Sequence, residues 1–173
     1  LSMQNVGITG AALVTGGAKR IGRAIATMLA EAGWPVAVHC NGSIAAAEAT
    51  VAEIVAAGGH AAIVPADLTD LEATDALVVQ AAAALGRPIA CLINNASIFE
   101  PDRLANFANA DFDRNMAIHA RAPAQLARAM AAQSPLILEG VIVNPSSWGS
   151  NSTSTLPSAK GGSPFSSLRA ATL

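Results

Sequence analysis

Short apolar runs alternate with longer stretches of helical period from the start of the chain to about Pro145. Each apolar run is too short for a helix and too apolar for an exposed edge strand, which is typical of strands buried on both faces. This alternation predicts repeated βα units on a parallel sheet. The predicted strands are Ala11–Thr15, Pro35–Cys40, Ala61–Ala66, Ile89–Asn94 and Gly140–Asn144.

The first two predicted helices follow the first two strands. Gly33 ends the first helix, since glycine readily adopts the left-handed backbone found at helix C-termini. Ser43 is placed to N-cap the second helix. The apolar positions of helical spacing are Ile21, Ala24, Ile25, Met28, Leu29 and Ala32 in the first helix, and Ile44, Ala47, Val51 and Ile54 in the second.

Two more helices complete the pattern. Thr69 and Glu72 have the spacing of a capping box, which predicts a third helix from there to Gly86. A fourth helix is predicted from about Ala110 to Ala132, with a kink at Pro123 because proline lacks the N–H of a regular helix. The predicted fold class is α/β, with three layers and helices on both faces of a doubly wound parallel sheet.

Residues 146–167 break the pattern. Serine, threonine, glycine and proline crowd this segment without a helical or strand period, which predicts an irregular loop. No linker divides the chain, so we expect one domain over residues 1–173, irregular or altered over 148–173.

The composition limits the possible partners. Of the 173 residues, 52% are apolar and 13% charged, and the formal net charge is −2. These values fit a compact fold and provide no field that would recruit nucleic acid or anionic lipid. The sequence contains neither an apolar stretch of the ~20 residues that a membrane helix requires nor a recognisable signal core. We therefore expect a cytoplasmic protein with no nucleic-acid and no membrane partner.

The cysteines and histidines do not predict a metal site. Cys40 and Cys91 fall inside predicted strands, so we expect two buried, reduced thiols. His39, His60 and His119 have no metal-ligand spacing relative to these cysteines or to the carboxylates.

A glycine-rich turn follows the first strand. It reads Thr15-Gly16-Gly17-Ala18-Lys19-Arg20-Ile21-Gly22 and leads straight into the first helix. Glycine lets a backbone approach a pyrophosphate closely, and the N–H groups of a helix N-terminus bind its charge. Any tight strand-to-helix connection also favours glycine, but the first βα unit is where open sheets bind ligands.

The turn resembles the TGxxxGxG cofactor motif of the short-chain dehydrogenase/reductase family, and especially its pteridine-reductase-like branch, with Arg20 in place of the middle glycine. Four more segments are similar to family motifs and occur in the family's order, over residues 7–147. These segments are Asp67-Leu68, Asn94-Asn95-Ala96-Ser97, Asn115, and Val143-Asn144-Pro145-Ser146-Ser147. Taken singly, each could be an ordinary turn, loop or solvated helix position.

The resemblance implies a Rossmann-like dinucleotide-binding domain that is C-terminally incomplete. It also implies a small-molecule substrate and a homo-oligomer, either a tetramer or a dimer. The residues implied to contact the cofactor are Gly16, Lys19, Arg20, Ile21, Gly22, Asp67, Leu68, Asn95, Ala96, Ser97 and Lys160.

The end of the second strand indicates which dinucleotide is bound. NAD sites carry an acid roughly 20 residues past the glycine turn, where it bonds the ribose 2′-hydroxyl. Residues 38–43 contain no acid, so nothing there repels a 2′-phosphate. Arg20, helped by His39, Asn41 and Ser43, is expected to bind that phosphate, which predicts NADP(H). The alternative is that Lys19 and Arg20 are merely solvated, although cations at a helix N-terminus are unfavourable without an anion.

The family's chemistry uses a tyrosine for proton transfer, a lysine four residues on that lowers the tyrosine pKa, and a serine that orients the carbonyl. The resemblance assigns Ser147 to the serine, Lys160 to the lysine and the nicotinamide ribose, and Asn115 to a proton-relay water. Leu156 then occupies the tyrosine position, and the chain contains no tyrosine. A leucine cannot transfer a proton, so the chain as printed is expected to show negligible turnover.

Two explanations remain open. The printed sequence is an incomplete or altered form of a working reductase between Trp148 and Leu173, which the change of composition after Asn144 favours, or the polypeptide really ends in this way. The first gives an NADP(H)-dependent reductase of a carbonyl or pterin-like substrate. The second gives a non-catalytic nucleotide-binding or subunit-interaction module. A doubly wound methyltransferase or flavodoxin-like carrier fits the alternation but not the Asn95 and Asn115 motifs.

Overall fold

Six parallel strands form one sheet at the centre of the protein. The computed structural model describes residues 10–98, 108–133, 140–144 and 168–171. The strands are β1 (Ala11–Val14), β2 (Val36–Cys40), β3 (Ala61–Pro65), β4 (Ile89–Ile93), β5 (Gly140–Val143) and β6 (Leu168–Ala171), in the order β3-β2-β1-β4-β5-β6. The order reverses between β1 and β4, which makes this the topological switch point where ligands bind in open α/β sheets.

The first five strands agree with the prediction to within one residue at each end. β6 was not predicted, because its short Leu-Arg-Ala-Ala sequence lacks a strand period. Its parallel pairing with β5 corrects the expectation that the whole of residues 148–173 is irregular. Pairing with a neighbouring strand, rather than local propensity, decides the conformation of such a segment.

Helices cover both faces of the sheet. They are α1 (Arg20–Glu31), α2 (Ile44–Ala56), α3 (Leu71–Leu85), α4 (Asn109–Met116) and α5 (Ala122–Ala131). Successive β1 side chains point to opposite faces: Leu13 packs with the α3 and α5 side chains, and Val14 packs with those of α1 and α2. The three-layer, doubly wound Rossmann-like prediction is confirmed.

The buried faces of the first two helices are narrower than predicted. In α1 the buried positions are Gly22 and Ala26, and large side chains such as Ile21 and Met28 lie outside at 68% and 67% exposure. In α2 the stripe is Ala47, Thr50 and Ile54, Val51 is half-buried and Ile44 is exposed. Apart from Ile54, the buried positions are small residues, which allow these helices to approach the sheet closely, and a count of apolar positions does not reveal this. The other predicted α1 stripe residues are also outside or half-buried: Ala24 and Ala32 are exposed, and Ile25 and Leu29 are half-buried.

Both predicted N-caps require correction. Ser43 precedes α2 as expected, but its side chain makes no capping hydrogen bond. The cap of α3 is Asp70, whose carboxylate accepts the Ala73 N–H at 2.8 Å. Thr69 does not cap the helix because its hydroxyl donates to Asp67 instead. The predicted end of α3 at Gly86 is confirmed by the left-handed backbone there (φ +65°).

The irregularity predicted at Pro123 takes the form of a π-helical turn over Ala117–Arg121, between α4 and α5. In a regular α-helix the Pro123 ring would clash with the His119 carbonyl, which would also lose its donor. The wider π-turn relieves this conflict.

The two cysteines are free and buried, as predicted. Burial raises the pKa of both thiols, that of Cys91 to about 11, so both are protonated at neutral pH. None of the helices in the described part of the chain has the length and apolar character that a bilayer crossing requires.

Candidate functional site

The glycine-rich turn lies at the switch point, between the carboxyl ends of β1, β2 and β4. Gly16 adopts a positive φ of +62°, which glycine permits without a steric penalty. The Asn95 side-chain amide donates to the Thr15 and Gly16 carbonyls at 3.0 and 3.2 Å. The Thr15 hydroxyl accepts the Ala96 N–H at 2.9 Å and donates to the Ile93 carbonyl. The end of β4 therefore fixes one side of the turn.

The opposite side of the turn is fixed by α2. Thr50 is buried, and its hydroxyl lies 3.1 Å from the Ala18 carbonyl and 3.0 Å from the Ala46 carbonyl. Thr15 was identified from the sequence only as the first residue of the glycine-rich motif, without its hydrogen bonds, and Thr50 was not singled out. A lone polar residue inside an otherwise apolar strand or stripe was the available signal, because buried hydroxyls are almost always hydrogen-bonded.

Gly22 brings the turn and the first turn of α1 together. A Cβ at this position would lie 2.1 Å from the Gly16 oxygen and 2.5 Å from the Asn95 side-chain nitrogen. No other residue fits without moving backbone atoms. The motif glycine thus has a packing reason that is independent of any ligand.

The His39 side chain lies beneath the glycine-rich turn. It is only 2% exposed; its Nδ1 is 3.0 Å from the Gly16 nitrogen and its Nε2 is 3.0 Å from the Ala66 oxygen. Both ring nitrogens are occupied by backbone groups. The expectation that His39 helps to bind a 2′-phosphate is therefore wrong. The sequence places His39 at the end of a strand but does not reveal which way its side chain points.

Arg20, the first residue of α1, has a φ of +53° and is the only non-glycine residue with a positive φ among those described. The family motif has glycine here, and any other residue is strained by about 1–2 kcal/mol. Arg20 is exposed, at the rim of the turn. Strain of this kind is characteristic of residues that are retained for a functional reason.

A cavity of about 470 Å³ lies above the turn. Its described lining contains two cations, Lys19 and Arg20, and no carboxylate, and the N–H groups of the first turn of α1 have no acceptor within the helix. It is therefore suited to an anion. The lining residues are Gly16, Ala18, Lys19, Arg20, Ile21, Gly22, Cys40, Asn41, Gly42, Ser43, Asn95, Ala96 and Ser97.

A second cavity, of about 450 Å³, adjoins the first, and Asn41 lines both. Asp67 lines it, and the pKa of its carboxyl is lowered because the Thr69 N–H and hydroxyl both donate to it at 2.8 Å. Arg121 reaches across from the π-turn and donates to the Thr69 carbonyl at 2.6 Å. Ile118 provides an apolar wall, so this cavity combines an ionised acid with a surface suited to a flat ring. Neither Arg121 nor Ile118 was predicted, because the π-turn that directs them depends on the fold.

Some predicted site residues lie away from these cavities. Leu68 is buried in the core beneath α3, so its side chain is not a cofactor contact. Asn115 donates to the Asp111 carbonyl one turn back at 2.9 Å and lines neither cavity. Ser147 and Lys160 lie outside the described residues, as does Leu156.

A larger cavity of about 670 Å³ lies between α3 and α5, next to Gly86, Arg87 and Pro88. It lies at the amino-terminal edge of the sheet, whereas ligands in such folds bind at the carboxyl ends of the strands. Its larger size therefore does not make it the ligand-binding site. Within the described ranges, no three His, Cys, Asp or Glu side chains are grouped as metal ligands.

A family model and a curated relative both match this chain. The short chain dehydrogenase family model matches residues 10–163. The 3-oxoacyl-(acyl-carrier-protein) reductase FabG of Staphylococcus aureus is 37% identical over 106 residues, which cover 61% of this chain and 43% of that protein.

Two solved structures are also similar to this chain. FolM alternative dihydrofolate reductase 1 of Brucella suis, solved in complex with NADP, is 42% identical with a TM-score of 0.73, over 78% of this chain and 56% of its own. A Burkholderia cenocepacia short chain dehydrogenase in complex with NADP is 36% identical with a TM-score of 0.73, over 79% and 55%. The chain spans about half the length of the relatives it matches.

Substituting Gly22 tests whether the turn is as tight as the distances indicate. Gly22→Ala should destabilise the protein by roughly 1–3 kcal/mol, since the methyl group displaces the Gly16 and Asn95 contacts. Gly42→Ala is the matched control, because a Cβ there meets no atom within 4 Å. Denaturant unfolding measures both, and equal losses would contradict the packing described.

Acid should destabilise the fold through His39. Burial lowers the pKa of His39 below 6.5, against the raising effects of the Ala66 carbonyl and Asp67. The unfolded chain then binds a proton at higher pH than the folded chain. The contribution of neutral His39 to the free energy of unfolding is therefore complete above about pH 6.5. It declines as the pH falls from there toward the pKa of His39 in the folded protein. Unfolding free energies across this range should show the decline, and the slope should be smaller in His39→Asn. An unchanged slope in that variant would assign the effect to other groups.

Proposed function

The chain belongs to the short-chain dehydrogenase/reductase family, and we propose that it forms the NADP(H)-binding domain of a reductase acting on a carbonyl or pteridine-type substrate. The observation that carries the proposal is the cavity above the Thr15–Gly22 turn, with its unpaired helix N–H groups and its cations. We propose that residues 1–173 form one dinucleotide-binding domain, and that the protein assembles as a dimer or tetramer.

The geometry fits a dinucleotide diphosphate. The missing side chain at Gly22 allows the Gly16 backbone to pack against the first turn of α1, which leaves the N–H groups of Ile21 and Gly22 for the phosphate oxygens. Asn41 connects the two cavities, so one extended ligand can occupy both. The second cavity, with Asp67 and Ile118, is then the place for an adenine ring.

Arg20 favours NADP(H) over NAD(H). Its planar guanidinium can bind a 2′-phosphate by paired hydrogen bonds, and Asn41, Gly42 and Ser43 opposite it include no carboxylate that would repel the phosphate. The strained backbone at Arg20 supports this role, since glycine would fit the same turn without strain. The structural relatives solved with NADP are consistent with this choice.

The proposed reaction is hydride transfer to a carbonyl or pterin-like substrate. NADPH, when bound, supplies the hydride. We assign Ser147 to polarising the substrate and Lys160 to the nicotinamide ribose, as the family resemblance implies. Asn115 is assigned to a proton-relay water, and its amide must then leave the Asp111 carbonyl or share it with that water. A dihydrofolate reductase among the relatives supports the pterin-like substrate.

A second candidate is a nucleotide-binding module without catalysis, which we keep as the alternative because the chain contains no tyrosine. Titration calorimetry with NADPH and NADH, followed by NADPH oxidation assays with dicarbonyls, quinones and oxidised pterins, separates the two. Binding with turnover supports the reductase, and binding without turnover supports the module. Failure of the folded protein to bind either nucleotide at millimolar concentration would overturn both.

Two Arg20 variants test the choice of nucleotide. Arg20→Glu should weaken NADPH binding by tenfold or more and NADH binding much less, because NADH lacks the 2′-phosphate that the new carboxylate would repel most strongly. Arg20→Gly should also weaken NADPH while raising the unfolding free energy by about 1 kcal/mol, since it relieves the positive φ. Calorimetry and denaturant unfolding measure these effects, and equal losses for both nucleotides would disprove the assignment.

A further inference from the structure

His39 contacts three neighbouring strand ends at once. Its imidazole lies between Gly16, just after β1, and Ala66, just after β3, while its own backbone belongs to β2. Its carbonyl also accepts the Gly17 N–H at 2.9 Å. One residue therefore binds two consecutive N–H groups of the glycine turn, the first through its side chain and the second through its backbone.

These contacts permit only one form of the ring. The Gly16 N–H can only donate, so Nδ1 must be an unprotonated acceptor, and the Ala66 carbonyl can only accept, so Nε2 must carry the proton. A proton on Nδ1 would place two N–H groups against each other inside a site where the ring is 2% exposed.

Holding the Gly16 N–H matters for the helix that follows. Gly16 has the positive φ that turns its carbonyl toward Gly22 and the Asn95 amide. If its N–H were released, the Thr15–Gly16 peptide could rotate, which would change the φ of Gly16, and the contact of Gly16 with the first turn of α1 would loosen. His39 accepts the N–H of the Thr15–Gly16 peptide, and the Asn95 amide donates both to the carbonyl of that peptide, on Thr15, and to the Gly16 carbonyl that follows. The two side chains therefore hold this part of the turn from both sides.

We propose that His39 is a positioning residue for the nucleotide, which it never touches: its neutral Nε2–H form holds the Gly16 N–H so that the first turn of α1 presents its own N–H groups to the diphosphate. This rests on the proposed function for the identity of the ligand. The hydrogen-bond arrangement itself belongs to the free protein and can be tested without any nucleotide.

Two substitutions test the two ring nitrogens of His39 separately. His39→Asn places an amide oxygen where Nδ1 lies, so it keeps an acceptor for Gly16 and loses the donor to Ala66. His39→Gln places an amide nitrogen near Nε2, so it keeps the donor to Ala66 and loses the acceptor for Gly16. Each variant loses one hydrogen bond, which makes them matched controls for each other.

The expected result is that His39→Gln weakens NADPH about tenfold while His39→Asn stays within about threefold of the original protein, as measured by calorimetry. Simple packing predicts the opposite order, because asparagine is the smaller residue and leaves the larger void. Equal losses in the two variants, or a greater loss in His39→Asn, would overturn the proposal.

A second measurement uses the unmodified protein without nucleotide. Nitrogen-15 NMR at neutral pH should show His39 with an unprotonated Nδ1 and a protonated Nε2, and hydrogen exchange of the Gly16 amide should be slow. The same amide should stay slow in His39→Asn and become at least tenfold faster in His39→Gln. A protonated Nδ1, or a freely exchanging Gly16 amide, would overturn the proposal even if the variants failed to fold.

The outcomes also distinguish this inference from the proposed function. If the unmodified protein binds neither NADPH nor NADH, the proposed function fails, whereas the tautomer and amide exchange still report on the role of His39 in the turn. If it binds NADPH and the two variants bind equally well, only the role of His39 fails.

Discussion

The peptide unit between Thr15 and Gly16 is held at both ends by side chains from other strands. Its N–H donates to His39 on β2, and its carbonyl, that of Thr15, accepts the Asn95 amide after β4. The next carbonyl, that of Gly16, also accepts the Asn95 amide and lies against the bare backbone of Gly22 on α1. These contacts allow a helix N-terminus to face a cavity without a side chain in between. A helix end that leaves N–H groups free toward an open cavity is a place for an anion, and the cations at its rim strengthen that preference.

The site is held together by hydrogen bonds between residues that are close in space but far apart in sequence. Thr50 and Asn95 each use a polar side chain to satisfy a backbone carbonyl of the turn, and the Thr15 hydroxyl binds the backbone at the end of β4. Asn95 is eighty residues away from Thr15 in sequence. Such buried polar groups are costly when unpaired, so they fix one arrangement of the turn. The rigidity of the turn thus comes from strands and a helix that the sequence sets far apart.

Arg20 shows how stability and recognition conflict at one position. The backbone there has the left-handed conformation that glycine adopts freely, yet the residue is an arginine. Its side chain contributes a charge at the rim of the cavity where an anion is expected, and a cation at a helix N-terminus is unfavourable without one. The strain and the charge both lead to the same conclusion about a bound phosphate.

The sequence alone predicts most of the secondary structure and the position of the candidate site, whereas the directions of the side chains around the site depend on the fold. Five strands, the doubly wound layers and the glycine turn were predictable because period and composition are local properties, and the positions of Gly16, Arg20 and Gly22 in the cavity agree with that prediction. The sequence did not show that His39 points beneath the turn, that Leu68 belongs to the core, or that Asp70 caps α3, because side-chain direction depends on which partners packing brings near. Residue types and spacing therefore determined where an anion site would form. Only the tertiary structure decided which polar side chains line the site and which ones hold its backbone, since that division depends on contacts between strands that are distant in sequence.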